Sequence, residues 1–440
     1  MTAPQKKTVL VVTYYFPPSG GAGVQRALKF VKYLPEFGWD PVVLTVKANA
    51  DFPARDESLL AEVPPGIEIV RTGIFEPYAL YRKWTGKAGN AAIDIETNTG
   101  LQRPGARERF ADFIRSTFFI PDARRFWKPS ALAAAEGILK RRKVDAIVST
   151  APPYTCHLIA ESIRRRHRIP WVADFRDSWV GWLSTPDRWW LPDRIDRALE
   201  RKVLRNADRI LAVSEGVRSD LSSRHPDIPE GKWKILTNGF DAADFEGLNP
   251  KPDADRFVIT YTGSLYGKRN PSALLRAARS LKERRPELAE KLLIRFIGRV
   301  DSATLDAFRT LGRMFEHVPY VPHSESLRCL LESSALLLVI DTAAAAGTIV
   351  TGKVYEYLGA GRPILALAPE GDAAHLIRSL GAGAVVAPDD PEDVERILEE
   401  WITAWQANGP IPRPSAEAVR RYERKTLTGE LAQILKQIIR

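Results

Sequence analysis

Two doubly wound α/β domains joined by a linker are what this sequence predicts. Three observations lead there: a length of 440 residues, short apolar β-type runs alternating with longer helical stretches, and a proline-bearing polar break near the middle. The length is too great for one ordinary core and comfortable for two, since domains hold roughly 100 to 200 residues. Strands that alternate with helices favour parallel sheets covered by helices.

In the first half the apolar runs are 9–13, 41–46, 67–71, 144–149, 171–175, 210–213 and 234–236. In the second half they are 257–261, 293–297, 336–340, 364–367 and 384–386. Between them Asn249, Pro250, Lys251, Pro252 and Asp253 have the composition of a linker, which places the joint near 244–255. The expected units are therefore 1–243 and 256–412, followed by a terminal segment 413–440 in which 422–439 reads as an amphipathic helix. Periodicity weakens between 51 and 131, and so long an irregular insertion is expected to act as a lid or docking segment.

A hydrophobic fraction of 45% with 27% charged residues belongs to a globular chain and excludes large disordered tracts. Two cysteines, Cys156 and Cys329, are too few for a disulfide framework or a thiolate metal cage, which fits a reducing, cytoplasmic setting. The apolar run from Val9 is too short for a signal peptide and lacks a cleavage pattern, so it reads as a buried strand. No stretch approaches the ~20 apolar residues of a spanning helix. The net charge of +10 is uneven: residues 1–240 hold 38 Lys and Arg against 27 Asp and Glu, and the remainder 26 against 27. That asymmetry suggests a first domain facing lipid headgroups, nucleic acid or a phosphorylated substrate.

The first strand leads into a loop with Gly20, Gly21 and Gly23 and a helix starting near Val24. Glycines let backbone approach a ligand, and a helix start offers free N–H groups to phosphate. The dinucleotide fingerprint fails, because its third glycine position is Arg26 and the second strand ends in Lys47 rather than an acid.

A strand, this glycine loop and a helix reading Val24, Gln25, Arg26 resemble the opening of glycosyltransferase family 4, and further segments follow in that family's order. These are Ser149 to Pro153, Val172 to Asp177, Ala207 to Glu215 and Thr237 to Asp241, then Tyr261 to Leu265, Phe296 to Gly298 and Lys353 to Pro363. The resemblance implies the GT-B arrangement: two Rossmann-like domains facing across a cleft, with a C-terminal helix crossing back onto the first. It implies a nucleoside diphosphate sugar held by the second domain and an acceptor held by the first, with retention and without metal or cofactor. No His, Cys and carboxylate spacing resembles a metal site, and Asp253 and Asp255 sit in the linker.

Carried over residue by residue, the resemblance assigns donor binding to Gly263, Lys268, Arg269, Gly298, Thr351, Gly352, Lys353 and Glu356. Lys268 and Arg269 would face the diphosphate, and Glu356, the second glutamate of the family's pair, would accept from ribose hydroxyls. Two departures stand out: Ser264 follows Gly263 where the family often has arginine, and Thr348 replaces the first glutamate. On the acceptor side, Asp174 or Asp177 is expected to orient a hydroxyl and Arg176 to hold a phosphate, with Gly20, Gly21 and Gly23 as an acceptor or phosphate loop. His157 is an ordinary helix histidine. Five tryptophans, Trp171, Trp179, Trp182, Trp189 and Trp190, lie close together and join the aromatic segment 113–121 in suggesting peripheral membrane contact and a polyprenyl-linked or other glycan acceptor. The expected process is surface polysaccharide assembly at the inner face of a bacterial membrane. Nucleic acid is not an expected partner, since no such module is present. A nucleotide-sugar epimerase and a catalytically silent nucleotide-binding subunit on the same fold are the alternatives.

Overall fold

The computed structural model describes residues 6–75, 113–114, 116–181, 185, 187–265, 269–341, 346–348 and 350–439. The chain forms two compact units, one of residues 1–237 with 424–440 and one of residues 238–423.

The first unit is built on seven parallel strands: β1 (Lys7–Val12), β2 (Trp39–Val46), β3 (Glu68–Thr72), β4 (Ala146–Ala151), β5 (Trp171–Phe175), β6 (Arg209–Ala212) and β7 (Trp233–Ile235). Their order is β3-β2-β1-β4-β5-β6-β7. Strand β1 is buried from Thr8 to Val12, which explains its unbroken apolar run: a parallel strand is covered on both faces. Helix α1 (Ala22–Tyr33) turns Val24, Ala27, Leu28 and Val31 into that core at i, i+3, i+4 and i+7. Helices α2 (Lys128–Arg141), α3 (Thr155–His167), α4 (Trp190–Asn206) and α5 (Glu215–Arg224) follow.

The second unit carries six parallel strands in the order β10-β9-β8-β11-β12-β13. They are β8 (Phe257–Thr262), β9 (Leu292–Ile297), β10 (Phe315–Val318), β11 (Ala335–Val339), β12 (Ile364–Leu367) and β13 (Gly383–Val386). Strand β10 is absent from the sequence reading. It is a half-exposed edge strand in which Glu316 and His317 interrupt the apolar signal. Helices α6 (Ser272–Arg284), α7 (Ser302–Arg309), α8 (His323–Glu332), α9 (Gly352–Ala360), α10 (Asp372–Ser379) and α11 (Pro391–Gln406) flank this sheet.

Helix α12 (Arg424–Ile438) returns to the first unit, as the resemblance implies. Leu427, Leu431 and Leu435, four residues apart, join the first core, and Lys425 pairs with Glu36 at 2.7 Å. Gly429 lies against Phe37, whose ring would stand 3.0 Å from an added Cβ. The joint differs from its composition. Phe240 sits in the second core with Phe245 and Leu248 packed against it, so the second unit starts at Asn238 rather than near 256. Val419 and Tyr422 pack there too, which keeps 413–423 with the second unit.

In each sheet the strand order reverses beside the first strand, between β1 and β4 and between β8 and β11. Ligands of open α/β sheets bind beyond the carboxyl ends of the strands at such switch points.

Candidate functional site

At the second unit's switch point, β8 ends in Thr262 and the chain turns at Gly263, whose φ of +109° favours glycine. The Gly263 N–H donates to Ile297 O at 2.7 Å, and Gly298, φ +118°, leaves β9 alongside. A Cβ on Gly298 would overlap the Gly263 carbonyl, so two turns pack backbone against backbone where only glycine fits. Helix α9 starts facing this corner. Its second residue, Lys353, places Nζ 2.7 Å from Tyr261 Oη and 4.3 Å from the Tyr261 ring centroid. The same ammonium group would stand 2.5 Å from a Cβ on Gly263. Tyr261 Oη in turn donates to Ser264 O at 2.8 Å, so the phenol links the turn to the cation.

Thr351 caps α9 with extended backbone but no side-chain cap bond. Its hydroxyl oxygen is buried and has no hydrogen-bond partner among the described residues. One turn further along the helix, Glu356 is half-buried and lies 3.2 Å from His323 Nε2, at the start of α8. A glycine turn, an ammonium group, the start of a helix and a carboxylate thus occupy one end of one sheet. Backbone N–H groups at a helix start and a nearby cation suit phosphate, and a carboxylate suits sugar hydroxyls. Arg269 is half-buried, and Lys268 lies outside the described residues. Thr348 ends a short turn (Ala346–Thr348) in which Gly347 presses on Gly371.

The first unit's switch point is built differently. Asp174 is fully buried, and its two oxygens accept from Arg26 Nε at 2.8 Å and Nη2 at 2.7 Å, and from Thr150 Oγ1 at 2.8 Å. Arg26 also donates to Leu236 O and Thr237 O. Burial pushes the Asp174 carboxyl up, but the charge and hydrogen bonds of Arg26 outweigh it and hold the group below its ordinary value. The expectation that Asp174 orients an acceptor hydroxyl is corrected here: the carboxylate is sealed inside the unit and ties α1 to β5 and β7.

Arg176, expected at a phosphate, donates to the carbonyls of Ala151, Pro152 and Gly23 and so clamps the glycine loop to the end of β4. Asp177 remains half-buried at the carboxyl end of β5. In the loop itself, Gly21 is exposed with φ +85° and precedes an α1 first turn that holds no acid. Gly20 packs on Arg55 and Asp56, and Gly23 on the Arg176 guanidinium. His157 is buried, with Nδ1 2.8 Å from Ser149 Oγ, and burial pulls it down to about 3, so it is a neutral core residue.

Three residues that hold these groups in place, Tyr261, His323 and Arg26, have no role assigned by the sequence motifs. Arg26 showed in the sequence only as a charge where the dinucleotide motif wants glycine and as one residue of the helix opening that resembles the family, neither of which pointed to Asp174.

Two parallel doubly wound units with glycine-bearing turns at their switch points and a terminal helix returned to the first define the GT-B glycosyltransferase architecture. The family description "Glycosyl transferase 4-like domain" matches residues 20–239, and "Glycosyl transferases group 1" matches residues 248–425. The chain belongs to this glycosyltransferase family. Solved structures share the fold at low identity. Sucrose-phosphate synthase from Thermosynechococcus elongatus has a TM-score of 0.60 at 13% identity, covering 98% of this chain and 99% of that one. WaaG, a glycosyltransferase involved in lipopolysaccharide biosynthesis, has 0.53 at 16%, covering 97% and 99%. Anabaena Alr3699/HepE, solved in complex with UDP-glucose, has 0.58 at 13%, covering 98% and 99%. No match was found among curated proteins.

Proposed function

We propose that the chain moves a hexose from a nucleoside diphosphate sugar to a glycan or polyprenyl-linked glycan, with retention and without a metal ion or cofactor. The observation that carries this reading is the corner formed by Gly263, Gly298, Lys353 and the start of α9. As the bond from sugar to phosphate breaks, negative charge grows on the departing nucleoside diphosphate. Lys353 Nζ and the first N–H groups of α9 are aimed where that charge develops, and such interactions lower the barrier only because they strengthen in the transition state. Glu356, oriented by His323, accepts from ribose hydroxyls, and the Thr351 hydroxyl completes the phosphate shell together with Arg269 and Lys268. The UDP-glucose held by the HepE relative supports a sugar nucleotide as donor. Thr348, in place of the family's first glutamate, alters the contact to the donor hexose.

On the first unit, Asp177 orients the acceptor hydroxyl, and the loop of Gly20, Gly21 and Gly23, held by Arg176, offers backbone to acceptor or phosphate. The lipopolysaccharide role of the WaaG relative supports surface glycan assembly, with the reaction at the inner face of the cytoplasmic membrane. No described helix is long and apolar enough to cross that membrane.

Thermal-shift titration with UDP, GDP, ADP and dTDP, each with and without Mg²⁺, tests the donor site. A ligand that binds only the folded state stabilises it by RT ln(1 + [L]/Kd). The expected result is a shift with one nucleotide, unchanged by Mg²⁺ and lost in Lys353→Ala and Glu356→Ala. No shift with any nucleotide, or a shift that needs Mg²⁺, contradicts the reading.

A further inference from the structure

Helix α4 presents an unusual outer face. Its inner face buries Pro192, Asp196, Glu200, Val203 and Leu204. Outward, its first two turns expose Trp190 at 70%, Leu191 at 40% and Ile195 at 43%, and later turns expose only cations and alanine between them. Those cations, Arg194, Arg197, Arg201, Lys202 and Arg205, line an open groove of about 880 Å³ along the helix. Arg197, Lys202 and Arg205 have carboxylate partners at Asp193, Glu161 and Asp227, whereas Arg194 and Arg201 have none within 4.0 Å among the described residues.

The aromatic end is enlarged by a second segment. Phe113 and Phe118 are more than half exposed, and Trp189 Nε1 donates to Thr117 Oγ1 at 3.0 Å. The Arg188 side chain, 2% exposed, fastens the two pieces together. It pairs with buried Asp196 at 3.0 Å and donates to Ser116 O at 2.6 Å, Phe119 O at 3.1 Å and Pro121 O at 2.9 Å. A buried ion pair therefore ties together the two segments that carry these exposed apolar side chains.

We infer that this face of the first unit, with Trp190, Leu191, Ile195 and Phe118 at the tip and Arg194 and Arg201 behind it, docks onto a bilayer bearing anionic lipid. Aromatic and aliphatic side chains at a helix end enter the zone between headgroup and acyl chain, and cations behind them meet lipid phosphates. Each such cation contributes about fivefold to binding. Tryptophan and arginine are also enriched at protein interfaces, but an apolar tip at a helix end with a row of cations along the helix behind it matches the layering of acyl chains and phosphates in a bilayer. The inference rests on the proposed function only for which bilayer is meant. Docking itself needs no sugar nucleotide, so failure of vesicle binding leaves the transfer reading standing, and failure of nucleotide binding leaves docking standing.

The test is co-sedimentation of the full chain with vesicles of phosphatidylcholine alone and of equal parts phosphatidylcholine and phosphatidylglycerol. Binding is expected only with phosphatidylglycerol and should weaken as salt rises. Trp190→Ser with Leu191→Ser should weaken it about tenfold, and Arg194→Glu with Arg201→Glu by more than about 25-fold. These side chains are exposed, so melting temperatures should match the parent, and Phe118→Ser gives an independent probe of the tip. Equal binding to both vesicle types, binding unchanged in both double variants, or capture of a single-stranded oligonucleotide without vesicle binding would each overturn the inference.

Discussion

The two sheets place their switch points alike and furnish them differently. In the first unit the polar groups there are spent inside the protein: Asp174 is sealed against Arg26, and Arg176 is turned onto three carbonyls. In the second, Lys353, Thr351 and Glu356 stand half-buried at a helix start, with one hydroxyl lacking any partner among the described residues. The lesson is that an acid or arginine at the carboxyl end of a strand is not by itself a ligand group. What distinguishes structure from site is whether its hydrogen-bonding capacity is already filled.

The largest expected effect breaks the closed side of this comparison. Asp174→Asn leaves Arg26 buried without its countercharge and should destabilise the fold by about 3–5 kcal/mol, read by urea unfolding. An effect below about 1 kcal/mol would mean that the pair is not structural. Next, Lys353→Ala should weaken nucleotide binding roughly 10- to 100-fold, the loss of a charged hydrogen bond, with little change in stability.

The third effect depends on pH. His157 is neutral in the fold, because burial lowers it from 6.5 to about 3. Between those values the unfolded chain binds a proton that the folded chain does not. Its contribution is therefore intact above 6.5 and shrinks as pH falls towards 3. At pH 5 the loss is about 2 kcal/mol, and His157→Gln should remove that part of the acid slope. Smallest, Tyr261→Phe should cost nucleotide affinity only a few-fold, by loosening Lys353 while keeping the ring beneath it.

The contrast also explains what the sequence could convey. Strand β5 stands at 171–175 as its apolar run suggests, and the parallel sheets follow from alternation, because both signals are local. Strand β10 was illegible for the opposite reason, since a half-exposed edge needs no apolar run. Gly263, Lys353 and Glu356 are singled out by the spacing of family motifs, and the structure gathers them at one end of the second sheet. Partners are not singled out in this way: His323 reaches Glu356 across 33 positions, and Arg26 reaches Asp174 across 148. Nothing in a single sequence brings such residues together. The same blindness made Asp174 look like a cleft residue, since the pattern Asp174 to Asp177 does not reveal which carboxylate is already neutralised.

The most direct test of the account is the nucleotide affinity of three proteins, parent, Lys353→Ala and Asp174→Asn, each measured well below its own melting temperature. A crossed result is expected. Lys353→Ala loses affinity and keeps its stability, whereas Asp174→Asn loses stability and keeps its affinity. Parent-like affinity in Lys353→Ala, or a loss of affinity in folded Asp174→Asn matching that of Lys353→Ala, would contradict it.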